Sequence, residues 1–163
     1  MTELLRAESL SCTRGEKKLL DNVSFSLNVG EYLSVVGPNG AGKTTLLKLI
    51  ARIGNSYRGK IILGDRELRK IPIRELSSYI GYVPQMFSAE FQLSVFEFVL
   101  MGLYSQLGRF SRISDLQFQQ VQAALALTKT ADLAKRTMQT LSGGERKRVL
   151  IAAALVHNPQ ILL

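Results

Sequence analysis

The octapeptide Gly37-Pro38-Asn39-Gly40-Ala41-Gly42-Lys43-Thr44 constrains this chain more than any other stretch. It fits G-x-x-x-x-G-K-[ST], the phosphate-binding loop pattern, at every fixed position. Gly37, Gly40 and Gly42 carry no Cβ, so the backbone can turn tightly and approach a ligand. Successive N–H groups from Gly40 to Thr45 can then point into one anion-binding concavity. The helix expected after them adds free N–H groups and the positive end of its dipole. Lys43 supplies a point charge for phosphate, and the Thr44 hydroxyl is a candidate Mg²⁺ ligand. The motif requires a strand before it and a helix after it. Leu33-Ser34-Val35-Val36 reads as a short buried strand, and Thr45 to Ala51 as the start of a helix. The alternative, a glycine-rich turn that happens to carry a lysine, has no need of these flanks.

Composition narrows the class. Apolar residues make up 46% of the 163, enough for a sizeable core. Lys plus Arg number 21 against 13 Asp plus Glu, a net charge of +8 that favours anionic partners without choosing among nucleotide, nucleic acid and lipid surface. One cysteine, Cys12, excludes an intramolecular disulfide and a cysteine metal cluster, which fits a reducing compartment. The N-terminus lacks the basic start and apolar stretch of a signal peptide. No apolar run approaches the ~18 residues of a membrane span, so a membrane role is expected to be peripheral.

Val23, Phe25, Leu27 and Val29 alternate with polar residues and predict a half-buried strand. Lys60 to Leu63 reads as another, closed by a Gly64-Asp65 turn. Pro72 opens a short helix through Ser77, and Tyr79 to Val83 returns to strand before Pro84-Gln85. Three capping boxes follow, Ser94 with Glu97, Ser114 with Gln117 and Ser142 with Glu145, each predicting a helix start. Phe118, Val121 and Leu125 give the second helix an apolar stripe, and Leu107 to Ser111 reads as a loop before it. The third helix runs through Val149 to Val156 and ends at Asn158-Pro159. Gln160 to Leu163 opens a further buried strand.

Leu141-Ser142-Gly143-Gly144-Glu145 sharpens the reading. Two glycines at a helix start expose backbone N–H groups, and Ser142 adds a hydroxyl, so this is a second anion-binding helix end. Alone it could be no more than a well-capped helix. In one chain with Gly37–Thr44, and with Tyr82-Val83-Pro84-Gln85 between them, it resembles the ATP-binding-cassette (ABC) ATPases over essentially its whole length. By that resemblance Gly37–Thr44 is the Walker A loop, with Thr45 beside it. Gln85 is the Q-loop glutamine, a Mg²⁺ contact with Thr44 that senses the membrane subunits. Leu141, Ser142, Gly143, Gly144 and Glu145 form the signature that caps the γ-phosphate held by the partner copy. Asn158 to Leu163 matches the entry to the Walker B strand.

The implied fold is α/β: a P-loop NTPase (RecA-like) core with an N-terminal antiparallel β part and an inserted α-helical subdomain, incomplete at the C-terminus. Residues 1–87 and 146–163 would form the nucleotide-binding core and 88–145 the helical, signature-bearing subdomain of a partial cassette. Two departures stand out. Arg14 occupies the position where the family usually stacks an aromatic residue on adenine; a guanidinium can stack there too, with base preference left open. The Walker B carboxylates and the switch histidine would lie beyond Leu163, so residues 1–163 alone are expected not to turn over ATP. His157 precedes Walker B and reads as an ordinary helix-end residue whose cationic form would suit the dipole. Arg146-Lys147-Arg148 reads as a solvated, partner-facing helix face rather than a nucleic-acid patch.

The resemblance implies ATP and Mg²⁺ as cofactors. It also implies a homodimer or paired ATPase subunit, an integral membrane permease and an extracytoplasmic substrate-binding protein, at the cytoplasmic face of the cell membrane. A start almost at Met1 suggests a separate importer subunit. Val99-Leu100-Met101-Gly102-Leu103-Tyr104, Leu107-Gly108-Arg109 and Glu145 are similar to the group carrying iron chelates, haem, cobalamin or metal ions. The alternative is an ABC-type ATPase acting on nucleic acid. Such proteins insert coiled coils or zinc modules, none of which lies between Gln85 and Leu141, so no nucleic acid is expected. Small P-loop kinases share Lys43 and Thr44 but have no reason to carry Leu141–Glu145.

Overall fold

The structure, a computed structural model, describes residues 2–54, 56–85, 92–104 and 113–163. It divides into two compact units, Met1–Leu76 and Ser77–Leu163.

The first unit is built on an antiparallel hairpin of two twelve-residue strands, β1 (Glu3–Arg14) and β2 (Lys17–Asn28). β3 (Arg58–Leu63) pairs with the other edge of β1, and the short β4 (Arg66–Glu67) follows it, giving the order β2-β1-β3-β4. Side chains alternate along a strand, so one face is buried only while the period of two holds. In β1 the buried residues are Leu5 and Ala7, then Leu10 and Cys12, a slip of phase by one. The slip falls at Ser9, whose φ is +50°, between the pairings Ala7↔Phe25 and Leu10↔Val23. An extra residue of this kind is a β-bulge, and it returns the apolar side chains to the buried face. β2 carries a matching irregularity at Asn22, also at φ +50°. The two are cross-bonded: Ser9 N–H donates to Ser24 Oγ (2.8 Å) and Asn22 N–H to Ser11 Oγ (3.0 Å).

Helix α1 (Lys43–Ile50) buries Leu46, Leu49 and Ile50. Beyond it Arg52, at φ +53°, donates through Nη1 to the carbonyls of Leu68 and Ile71, tying the helix end to the 3₁₀ turn Leu68–Lys70. Pro72 leads into α2 (Ile73–Tyr79), which ends two residues beyond the Ser77 that the sequence suggests.

In the second unit β5 (Ile80–Gly81) pairs in parallel with β6 (Ile161–Leu162). Val83 N–H to Leu163 O and Leu163 N–H to Gly81 O, both 2.8 Å, continue the ladder. Helices α3 (Val95–Met101), α4 (Asp115–Leu127) and α5 (Gly143–Leu155) pack around Val95, Val99, Val121, Leu125 and Val149, each fully buried. All three capping boxes form, with both reciprocal bonds present in each. α3 approaches α5 closely at Gly102, where a Cβ would lie 2.3 Å from the Ala153 carbonyl oxygen. Phe118 stays about half exposed and rests on Phe96, ring centroids 5.3 Å apart.

Three expectations are corrected. Leu33–Val36 is not a buried strand: it has no regular structure, Leu33 is 49% exposed and Val36 87%. A buried strand must pair its N–H and C=O groups with neighbours, and no strand among the described residues flanks this run. Tyr79 closes α2 instead of opening β5, which is two residues long. Val29 lies past the end of β2 and is exposed. The loop read at Leu107–Ser111 falls outside the described residues.

Candidate functional site

The phosphate-type loop sits at the start of α1, and Gly42 explains how. It is the N-cap residue, left-handed at φ +89°, ψ +2°. A Cβ there would lie 2.2 Å from the Leu19 carbonyl oxygen and 3.0 Å from Leu20 Cδ2. Glycine is thus required twice, by conformation and by contact with β2. The helix begins at Lys43, two residues before the position expected from the apolar run.

The loop polar groups divide into used and available. Ala41 N–H donates to Pro38 O (3.3 Å), so that amide closes the loop and is not presented outward as expected. Leu46 N–H donates to Gly42 O. Among the described residues the N–H groups of Lys43, Thr44 and Thr45 have no backbone acceptor, as the first turn of a helix dictates. Gly40 is left-handed at φ +82° with open space where a Cβ would stand. Lys43 Nζ is exposed and donates to the carbonyls of Gly37 and Pro38, 2.7 Å each. Among the described residues its charge is met by neutral carbonyls alone, so a phosphate oxygen would be a stronger partner. Free amides, an unneutralised ammonium and open space fit a nucleotide phosphate chain. The Thr44 hydroxyl, on the first turn of α1, is the side chain of this unit that could ligate Mg²⁺.

Arg14 ends β1, is exposed, and lines a cleft of about 340 Å³ with Leu19, Thr45, Lys48 and Leu49. The structure therefore brings Arg14 to the same cleft as the α1 start, although 31 residues separate it from Thr45 in a sequence that offers no local cue to this.

Gln85, in the second unit, is exposed just after β5. The signature opens α5 in the same unit. Ser142 is its N-cap: Oγ accepts from Glu145 N–H (3.3 Å) and donates to Glu145 Oε2 (2.7 Å), while Ser142 N–H reaches the same oxygen at 2.8 Å. These bonds, with Arg136 Nη1 3.6 Å from Glu145 Oε1, hold the Glu145 carboxyl below its ordinary pKa, the Ser142 hydroxyl acting most strongly. The Gly143 and Gly144 N–H groups have no backbone acceptor among the described residues, and nothing lies within 4 Å of a Cβ built at either. An open, donor-rich helix end results.

Two arginines escaped the sequence reading. Arg136 donates to the Thr140 carbonyl and faces Glu145, bracing the approach to α5. Arg146, expected on a solvated face, is half-buried and donates to Leu141 O (3.3 Å); Lys147 and Arg148 are exposed as expected. His157 is also corrected. It is half-buried, neither ring nitrogen makes a hydrogen bond of ordinary geometry, and burial lowers its pKa, offset in part by the Ile80 backbone. Its neutral form is favoured, the reverse of the cation expected at a helix end. Among the described residues no helix is long and apolar enough to cross a membrane, and no group of three or more His, Cys, Asp or Glu could hold a metal ion.

Known proteins are similar to this chain in sequence and in fold. The chain is 32% identical over 159 residues to the iron(3+)-hydroxamate import ATP-binding protein of Bacillus subtilis, matching 98% of this chain and 59% of that one. It is 36% identical over 162 residues to the hemin import ATP-binding protein of Thermobifida fusca, matching 99% and 56%. It thus spans a little over half the length of these relatives. A metal-chelate type ABC transporter in an inward-facing conformation superposes with a TM-score of 0.79 at 34% identity, over 96% of this chain and 57% of that one. A nucleotide-free ATP-binding cassette from an ABC transporter gives 0.84 at 29%, over 98% and 67%. These are cassettes of the expected α/β P-loop class. The family described as ABC transporter matches residues 20–163, which hold both the glycine loop and the signature, and the chain belongs to that family.

Proposed function

We propose that this chain is the nucleotide-binding part of an ABC importer ATPase subunit, coupling ATP binding and hydrolysis to uptake of an iron chelate, haem, cobalamin or metal ion. The observation that carries the proposal is the start of α1, where three amides without backbone acceptors and the Lys43 ammonium surround open space. Those amides bind and orient the phosphate chain, and Lys43 exchanges its loop carbonyls for phosphate oxygens. Bound Mg²⁺ would offset the phosphate charge. Arg14 lies along the base. The N–H groups of Gly143 and Gly144, with Ser142, act on the nucleotide of a partner copy. Relatives named for iron(3+)-hydroxamate and hemin import support the cargo class. A permease, a substrate-binding protein and a place at the inner membrane face belong to the same proposal.

The test is calorimetric titration with MgATP on the polypeptide at its natural length. Lys43→Ala removes charge-assisted contacts of about 1.5–3 kcal/mol each and should weaken binding tenfold or more. Equal affinities for the two forms would refute the assignment.

A further inference from the structure

A second cleft, of about 480 Å³, opens beyond the C-terminal end of α1. Lys48, Arg52 and Arg69 line it, with Leu49 and Ile53 as its apolar part and Tyr57 on its wall. Among the described residues no carboxylate lines it. Arg52 bonds to the Leu68 and Ile71 carbonyls. Arg69 bonds to the Tyr57 carbonyl, and its guanidinium carbon lies 3.9 Å from the Tyr57 ring centroid. Neither arginine, nor Lys48, is in an ion pair among the described residues. Glu67, whose charge reaches Tyr57, pairs with Lys70 at 3.7 Å. Carbonyls and a ring face orient the two guanidinium groups without cancelling their charge. The cleft therefore presents three positive charges, two of them on anchored side chains.

The Tyr57 hydroxyl adds an independent sign. It is shut off from solvent and makes no hydrogen bond of ordinary geometry among the described residues; the group that reaches it, the Arg69 guanidinium, is itself a donor and offers its proton no acceptor. Burial raises its pKa, more than Arg69 lowers it, so it stays a protonated donor at neutral pH. A buried donor without an acceptor is unfavourable, and an oxygen-rich anion entering at this wall would supply one.

We propose that this cleft binds a small free molecule bearing two or more phosphate groups, at a site separate from the loop at the α1 start. Three cations call for a multiply charged anion, and the guanidinium fork matches phosphate oxygens. The volume is that of a small-ligand pocket, not of a polymer track. The cleft shares Lys48, Leu49, Ile53 and Gly54 with the Arg14 cleft, so its occupant would adjoin a nucleotide bound there.

The experiment is calorimetric titration of inorganic tripolyphosphate into the polypeptide at its natural length, with the α1 loop held full by a non-hydrolysable ATP analogue. One saturable equivalent is expected. Arg69→Gln should weaken it about tenfold or more while nucleotide affinity in the same sample is unchanged, which also reports that the variant is folded. Tyr57→Phe should weaken it several-fold without lowering the melting temperature, since a merely structural orphan hydroxyl would be lost at no cost to affinity. No saturable binding, or binding that neither variant weakens, overturns the proposal. Should the analogue itself fail to bind, only the proposed function is struck; tripolyphosphate binding that depends on Arg69 still decides this one.

Discussion

Replacing Gly42 by alanine tests whether the nucleotide loop is held by β2. Two costs add. Alanine at φ +89° is in the left-handed region, about 1–2 kcal/mol. Its Cβ would also stand 2.2 Å from the Leu19 carbonyl oxygen, and ordinary contact begins near 3.4 Å, so loop and strand would have to part by about 1.2 Å. Overpacking of that size costs a further ~1–3 kcal/mol. Gly40 isolates the first cost, because it shares the left-handed conformation at φ +82° but has open space where the Cβ would go. Gly40→Ala is therefore expected to lose about 1–2 kcal/mol and Gly42→Ala about 2–5, a large part of the ~5–15 kcal/mol that holds a domain together. Urea unfolding, with the slope checked for constancy, measures both. Because the shift falls on the first turn of α1, Gly42→Ala should also weaken MgATP binding about tenfold beyond any effect of Gly40→Ala. Equal losses for the two variants would show that the loop does not lean on Leu19, and the reasoning would fail.

Gly143→Asp should fold normally, since nothing lies within 4 Å of the added Cβ, and should bind nucleotide as a monomer within about twofold of the parent. ATP-driven dimerisation, followed by light scattering, should vanish, because a carboxylate would face the partner's γ-phosphate; an undiminished dimer would leave the signature a helix cap and nothing more. For His157 the folded pKa is lowered from 6.5, so between the two values the unfolded chain binds more protons. Stability is then full above about pH 6.5 and declines as pH falls toward the folded value. Denaturation at pH 7.5, 6 and 5 should show this slope reduced in His157→Gln, and an identical slope would remove His157 as its source.

Features that depend on a few adjacent residues could be read from the sequence. Each Ser-x-x-Glu or Ser-x-x-Gln box closes its bonds within four residues, and all three helices start where Ser94, Ser114 and Ser142 place them. The Gly37–Thr44 pattern likewise predicts a helix start, but not that α1 opens at Lys43 or that Gly42 leans on Leu19, since that contact comes from β2. Leu33–Val36 failed because a buried strand is a property of its neighbours. Arg146 and His157 failed for a related reason: a charged residue on a helix reads as solvated, yet burial by the rest of the unit decides whether it bonds a carbonyl or loses its proton. The cation cleft was not legible, because Lys48, Arg52, Tyr57 and Arg69 meet only once α1 and the Leu68–Lys70 turn are packed.

The crossed bulges at Ser9 and Asn22 reach further than the sheet they sit in. A plain hairpin of twelve-residue strands can slide by two residues and keep its apolar side chains on the same face. This one cannot, because Ser24 and Ser11 accept their amide bonds at one alignment only. The hairpin thereby acts as a ruler. It fixes the height at which the Leu19 carbonyl meets Gly42 and at which Arg14 emerges beside Thr45. Length can vary without penalty at the Gly15-Glu16 tip, which lies past both marks. An added or lost residue between Ser9 and Arg14, or between Leu19 and Asn22, would move the graduations themselves. The phosphate loop would then lose its seat with every one of its own residues intact.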